Sequence, residues 1–300
     1  RAEKDKNGLG EIIVNGRTSI ENQLGIPNPV FPIVEIYTNA SVFPPVDVTG
    51  FQQMLQSVVC TYKNPESRIF SLENRFKECV ALQSFASANV AQVNMRSTFL
   101  NCVNLKYFNA PTLKPTNLEA GFKQSGITEL PNMQYDECTN MYEAFSGCNN
   151  LLELEILHFP KVTNARYMFY NCKNLKTVKG ITFDIPSIVI EMFSGCPLLQ
   201  DIEYIKFGAP VGGALALDSP CLRCLRLPSF EGAQLQGYNL IFNKNNNGCM
   251  LTGESLNILF ESLLPRNSAM PYNTLDISSC IGKNDCTKEI ATRKGYQVIV

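Results

Sequence analysis

One histidine occurs in the 300 residues, His158, in the stretch "EILHFPKV". A Ser-His-Asp or Cys-His device needs an imidazole to move a proton, so any such device here would have to use it. Its neighbours belong to a phrase that recurs along the chain, which makes it part of a building unit. With a single His, zinc would need sulfur-rich ligation. Cys221 and Cys224 form one C-x-x-C, but no second pair has the matching spacing. The Gly-rich run "GAPVGGALAL" at 208–217 lacks the Lys and the spacing of a phosphate loop. These residues point to no catalytic group, no metal and no cofactor.

Five of the other ten cysteines are spaced too regularly for chemistry. Taking Phe as the marker, one phrase occurs at Phe76, Phe99, Phe122, Phe145, Phe169 and Phe193. Three residues after each Phe stands Cys79, Cys102, Ser125, Cys148, Cys172 or Cys196. An apolar pair follows: Leu82 and Phe85, Leu105 and Phe108, Leu151 and Leu154, Leu175 and Val178, Leu199 and Ile202. In the Ser125 unit the pair is Ile127 and Leu130, one residue early. A sustained period of about 20–29 residues with an L-x-x-L core marks a leucine-rich solenoid, whose units bury their apolar faces only by stacking.

The phrase "FPKVTNARYMFYNCKNLKTV" resembles the BspA-like class of leucine-rich repeats, with units of the form F-D-T-S-x-V-T-N-M-x-x-M-F-x-x-C-x-x-L-x-x-L. Agreement is closest over 138–202 and looser over 76–137. Degraded units extend to about 230, where "DSPCLRCLRL" puts Asp218 at the Phe position and Cys224 at the first Leu position. Residues 251–300 resemble a terminal unit found beside such repeats, with Tyr296 where that pattern has Trp. The resemblance implies a bacterial surface protein or a virion component such as a phage tail fibre. Its implied role is adhesion to a protein or glycan on a cell surface, or else a structural part of a virion.

The expected fold is an α/β leucine-rich-repeat solenoid. A parallel sheet forms one face and short helices or turns the other, over residues 46–250. The segment after each Cys alternates and reads as a short strand, with Leu154, Val178 and Ile202 facing inward. Each Phe fills the space between the two walls, where burial contributes roughly 1.5–3 kcal/mol. Ser125 on the cysteine rung argues for small buried side chains, since Ser neither bridges nor binds a soft metal. Cys79, Cys102, Cys148, Cys172 and Cys196 are therefore read as reduced and structural. Cys280 and Cys286 are the pair best placed for a bridge.

The net charge of −1 and pI near 6.0 give no electrostatic reason to expect nucleic acid. No run of about eighteen apolar residues is present, so no transmembrane segment is expected. Residues 1–45, with five Pro between 27 and 45, read as an extended arm or linker, suited to homo-oligomer or virion assembly. "VTGFQQMLQSVV" at 48–59 reads as a short capping helix. The C-terminal unit, 251–300, reads as helix, strand, helix, strand. Thr252 starts the first helix, Pro265 lies beyond it, and Gly295 closes the second. It is expected to cover the last rung and hide the sheet edge. The chain begins with Arg1 and shows no secretory signal, so it reads as a processed product whose location, cell surface or virion, is not encoded in it.

Strand residues alternating with the core face outward. One row comprises Ser84, Tyr107, Glu129, Glu153, Thr177, Asp201 and Arg226. A second comprises Asn109, Glu155, Lys179 and Glu203. Solenoids bind partners on such extended faces. The expectation is a non-enzymatic recognition module, acidic between 129 and 203, with a protein or cell-surface ligand.

Overall fold

The structure, a computed structural model, describes residues 2–4, 10–15, 33–38, 55–62, 70–87, 91–185, 187–207, 213–216, 222, 224–225, 238–241, 249–263, 265 and 273–300. The chain divides into two compact units, Arg1–Glu137 and Cys138–Val300. Each contains stacked parallel strands on one side and stacked turns on the other, the solenoid that the period predicts.

In the first unit a six-stranded sheet runs in the order β1-β2-β3-β4-β6-β8. Its members are β1 (Ala2–Lys4), β2 (Gly10–Asn15), β3 (Ile33–Thr38), β4 (Ser57–Tyr62), β6 (Ser84–Ser87) and β8 (Tyr107–Asn109). The β1–β2 and β2–β3 pairs are antiparallel; from β3 onward the pairing is parallel. Of the expected arm, β1, β2 and the first part of the 33–45 stretch are thus strands of this sheet. The rest of 1–45 lies outside the described residues. A second sheet, β5 (Phe70–Ser71), β7 (Ala91–Asn94) and β9 (Leu113–Asn117), leads into the turns.

The helix expected at 48–59 is corrected: its described end enters β4, and residues 48–54 lie outside the described residues. Ser57–Tyr62 is rich in β-branched residues, which favour a half-buried pleated surface. Leu55 and Val58, both buried, repeat the L-x-x-aliphatic spacing one rung early, and Val58 is the register partner of Phe85.

The second unit carries β10 (Glu153–Phe159), β11 (Thr177–Phe183), β12 (Asp201–Ile202), β13 (Ile205–Phe207) and β15 (Cys224–Leu225). They pair in parallel so that Leu154, Val178, Ile202 and Leu225 form one inward row. The register partner of Asp201 is thus Cys224, two residues before the expected Arg226. The degraded unit has lost its Phe, so Leu222 and Leu225 set the frame. Arg226 itself lies outside the described residues.

A further parallel sheet comprises β14 (Gly213–Ala216), β16 (Tyr238–Ile241), β17 (Asn273–Asp276) and β18 (Tyr296–Ile299). Helix α1 (Gly253–Ser262) starts at Thr252, whose hydroxyl accepts from the Ser255 amide at 3.2 Å. Helix α2 (Glu289–Arg293) is short, and Gly295 follows it at φ 88°. The order helix, strand, helix, strand holds. Among the described residues β17 and β18 continue the parallel ladder of β14 and β16, with β18 the last strand in it. A strand whose register matches the ladder extends the sheet in place of covering it.

The core is two columns of phenylalanine. Phe76, Phe99 and Phe122 stack at 5.5 and 5.1 Å, and Phe145, Phe169 and Phe193 at 5.5 and 5.5 Å. All six are fully buried. In the second unit Phe159, Phe183 and Phe207 form another column, at 5.6 and 5.9 Å, on the strand side. Offset ring pairs of this kind add to the burial term. Phe108 is only half-buried, although it stacks on Phe85 at 5.1 Å.

The turn wall has a backbone of its own. Two residues before and two after each marker Phe, the chain takes positive φ. The first set is Asn74, Ser97, Ala120, Glu143, Tyr167 and Glu191; the second is Glu78, Asn101, Gln124, Gly147, Asn171 and Gly195. Alternating right- and left-handed residues point successive amides the same way. Accordingly Asn74, Phe76 and Glu78 donate to the carbonyls of Arg96, Thr98 and Leu100 on the next rung. Tyr167, Phe169 and Asn171 donate likewise to Ile190, Met192 and Ser194. The rung cysteines join this wall: the Cys102, Cys172 and Cys196 thiols donate to the carbonyls of Phe76, Phe145 and Phe169 at 2.9, 3.2 and 3.2 Å. Asn94, Asn117, Asn140 and Asn164 open each turn, their side-chain oxygens accepting from the amide two residues on.

Candidate recognition surface

The strand wall of the second unit brings two groups of outward side chains together. Glu153, Thr177 and Asp201 are successive register partners, so they form one row across the sheet. Behind them Lys179 lies 2.7 Å from a carboxylate oxygen of Glu153 and 2.7 Å from one of Glu155. The clamp is held by register: β11 sits one rung from β10, and the long Lys179 stem spans both acids. The Lys179 ammonium holds the Glu153 carboxyl below the ordinary glutamate range, and the two carboxylates hold Lys179 above its own. Exposed pairs like these order side chains more than they stabilise a fold. Glu203 follows in this group, its amide bonded to the Val178 carbonyl at 2.9 Å.

The acidity expected of this face is therefore partly neutralised, with Asp201 and Glu203 outside the clamp. Apolar side chains sit among the charges: Ile156 is 67% exposed and Leu152 52%. Gly180, the register partner of Ile156, is covered by the Tyr204 ring; a Cβ there would lie 2.2 Å from it. Ile156 and Tyr204 lie outside the two expected outward rows; the three-residue step between Leu154 and Leu157 breaks the alternation and leaves Ile156 exposed.

In the first unit Tyr107 stands beside Ser84 and is 71% exposed. Asn109 is the partner of Ala86 on one side and is bridged to Asn132 on the other. Glu129 is exposed on the same unit, outside any strand. Val103, half-exposed, precedes Tyr107 on this rung.

The turn walls also carry outward groups. Arg96 lies 3.5 Å from Glu73 and 3.3 Å from Glu119, a charge ladder across three rungs. In the second unit Tyr142, Tyr167 and Tyr170 meet edge to face at 5.9 and 5.6 Å.

His158 Nε2 is 2.8 Å from Asp184 Oδ2, with both side chains substantially exposed. An imidazole held by a carboxylate is two-thirds of a hydrolytic triad, but this pair lies open to water on the strand wall. Among the described residues no group of three His, Cys, Asp or Glu side chains is arranged to hold a metal ion. No helix among them is long and apolar enough to cross a membrane. Cys79, Cys102, Cys148, Cys172 and Cys196 are free thiols with no solvent exposure. Burial pushes the Cys79 thiol up to about 12 and the Cys102 thiol well above its ordinary value. Cys280 and Cys286, the pair best placed for a bridge, are both free. The reason is orientation: Cys280 faces the core, while Cys286 turns its sulfur to the Lys283 carbonyl at 3.5 Å. Cys221 lies outside the described residues.

Residues 71–200 match the family model described as BspA type Leucine rich repeat region, in 6 copies. No curated protein and no solved structure matches the chain.

Proposed function

Residues 71–200 are a BspA-type leucine-rich repeat region, and from that premise we propose a non-enzymatic recognition module that adheres to a protein on a cell surface. Leucine-rich solenoids serve as protein-interaction scaffolds, presenting an extended stacked surface. The finer reading assigns the contact to the strand wall bearing Glu153, Glu155, Thr177, Lys179, Asp201 and Glu203.

The observation that carries it is the composition of two neighbouring rungs. Ile156 and Leu152 are exposed apolar side chains flanked by a Glu–Lys–Glu clamp that holds its charges in place. Apolar anchors inside an ordered polar rim are how protein interfaces are built. Asp201 and Glu203 lie outside the clamp, which favours a partner carrying Lys or Arg.

The test compares the full chain with an Asp201→Lys, Glu203→Lys variant that leaves the clamp intact. Both are measured for attachment to whole cells and to their isolated surface proteins, with folding checked by circular dichroism. Attachment that falls at least about tenfold in the variant, and falls with added salt, is the expected result. Undiminished attachment by a folded variant removes the contact from this wall. A chain that attaches to nothing yet assembles into a defined oligomer puts a structural, assembly role in place of adhesion.

A further inference from the structure

We propose that Cys249 and Cys280 are a disulfide-forming pair, oxidised by hydroperoxides, that staples the rung at Cys249 to the segment following β17. The two residues are parallel bridge partners. The Cys249 amide donates to the Ser279 carbonyl at 2.9 Å, and the Ile281 amide to the Cys249 carbonyl at 3.0 Å. Both thiols are free, and both are 99% buried against the same core. The two thiols act on one another electrostatically, Cys249 being held below and Cys280 above the ordinary thiol range.

Two features set this pair apart from the rung cysteines. Cys172 and Cys196 also act on one another, but each gives its proton to a Phe carbonyl at 3.2 Å, and each sits in a wall bonded rung to rung. Oxidation there would break two buried hydrogen bonds and pull parallel Cβ vectors together within a locked backbone. The Cys249 thiol donates to the Leu222 carbonyl at the longer distance of 3.9 Å, and the Leu251 backbone also bonds to it. Its bridge to Cys280 is isolated, because α1 leads away shortly after Cys249 and a turn follows Cys280.

The chemistry balances with one hydroperoxide, ROOH. The Cys249 sulfur attacks the distal peroxide oxygen. The O–O bond breaks and the alkoxide RO⁻ leaves, taking the Cys249 proton to become ROH, with a sulfenic acid left on Cys249. The Cys280 sulfur then attacks the Cys249 sulfur, the S–O bond breaks, and the hydroxyl leaves with the Cys280 proton as water. Two thiols are oxidised by two electrons and one peroxide is reduced.

The test uses the full chain and hydrogen peroxide as the probe. Remaining thiols are blocked with N-ethylmaleimide while the protein is folded, and non-reduced peptides are mapped by mass spectrometry. The Cys249–Cys280 linked peptide should accumulate before any other. The melting temperature of the oxidised chain should rise and return after dithiothreitol. A Cys280→Ser chain should show neither change, and the mapping of the wild-type chain stands without it. Earlier linkage of Cys172–Cys196 or Cys280–Cys286, or two intact thiols at Cys249 and Cys280 in the peroxide-treated chain, would overturn the proposal.

Discussion

The turn wall and the strand wall of each unit are written by one repeat, yet they keep their shape by different means. On the turn wall the inter-rung bonds about Phe76, Phe99, Phe145 and Phe169 run one way, from the amides of one rung to the carbonyls of the next. The left-handed residues that allow this cost about 1–2 kcal/mol each when they carry a side chain. On the strand wall the bonds run both ways, as Glu203 to Val178 and Ile181 to Tyr204 show, and no such strain is needed. The turn wall is occupied with holding itself together, around Phe, Cys and Asn at set positions. The strand wall gives every second residue to the core and leaves the others free. That division is why the variable, outward side chains of β10, β11 and β12 are the natural place for recognition.

The comparison breaks first if the walls do not share one core. Phe183, fully buried between Phe159 and Phe207 on the strand side, should cost about 3–5 kcal/mol when changed to Ala, as other buried aromatics do. A loss near 1 kcal/mol in urea denaturation would mean that the strand-side column is not a true core. The left-handed positions come next. Gly195 has φ 76°, and a Cβ there would lie 2.1 Å from Asn171 Oδ1. Gly195→Ala should therefore destabilise by about 1–3 kcal/mol. The reverse change, Gln124→Gly at φ 57°, should be neutral or stabilising. If both changes prove neutral, the turn wall is not strained.

A smaller effect belongs to the turn openers. Asn164→Ala removes the bond to the Arg166 amide and should cost about 0.5–1 kcal/mol. Ile188 occupies the same place one rung on, so a cost much above that range would reveal a second role for Asn164. The smallest effect is on the clamp and is read by titration. By NMR the Glu153 carboxyl should titrate below an ordinary glutamate and return to the usual range in Lys179→Met. The sign follows from a lowered folded pKa: what the clamp adds to stability is present above the unfolded value and fades as pH falls through the folded one. An unchanged Glu153 titration in that variant would remove the clamp from the account.

Much of this architecture was legible because a solenoid repeats its errors as well as its rules. Ser125 on the cysteine rung revealed a small buried site, and the 23- and 24-residue steps revealed the stack. The Phe159, Phe183, Phe207 column shares the 24-residue step and was overlooked only because a single Phe served as marker. The left-handed positions were illegible for a physical reason. Glu, Gln, Tyr and Ala do not favour that region, and only inter-rung hydrogen bonds impose it on them. Gly147, Gly195, Asn101 and Asn171 were the signal available. The strand at Ser57–Tyr62 was hidden by helix-like spacing ahead of it, and tertiary pairing with β6 decided the matter. On the strand wall, alternation sufficed to place Glu153, Thr177 and Asp201 in one row. The clamp needed the register of residues 24 apart, Glu155 and Lys179, which alternation within one strand does not supply.

The most direct measurement pairs two substitutions in one repeat: Phe169→Ala on the buried column and Thr177→Ala on the outward row. Denaturant midpoints are compared under identical conditions. Phe169 is stacked between Phe145 and Phe193 at 5.5 Å on each side, and its loss should cost about 3–5 kcal/mol. Thr177 lies between Glu153 and Asp201 with its side chain partly in solvent, and its loss should fall within about ±0.5 kcal/mol. Equal shifts for the two variants would contradict the division of the repeat into a locked core and a free outward row.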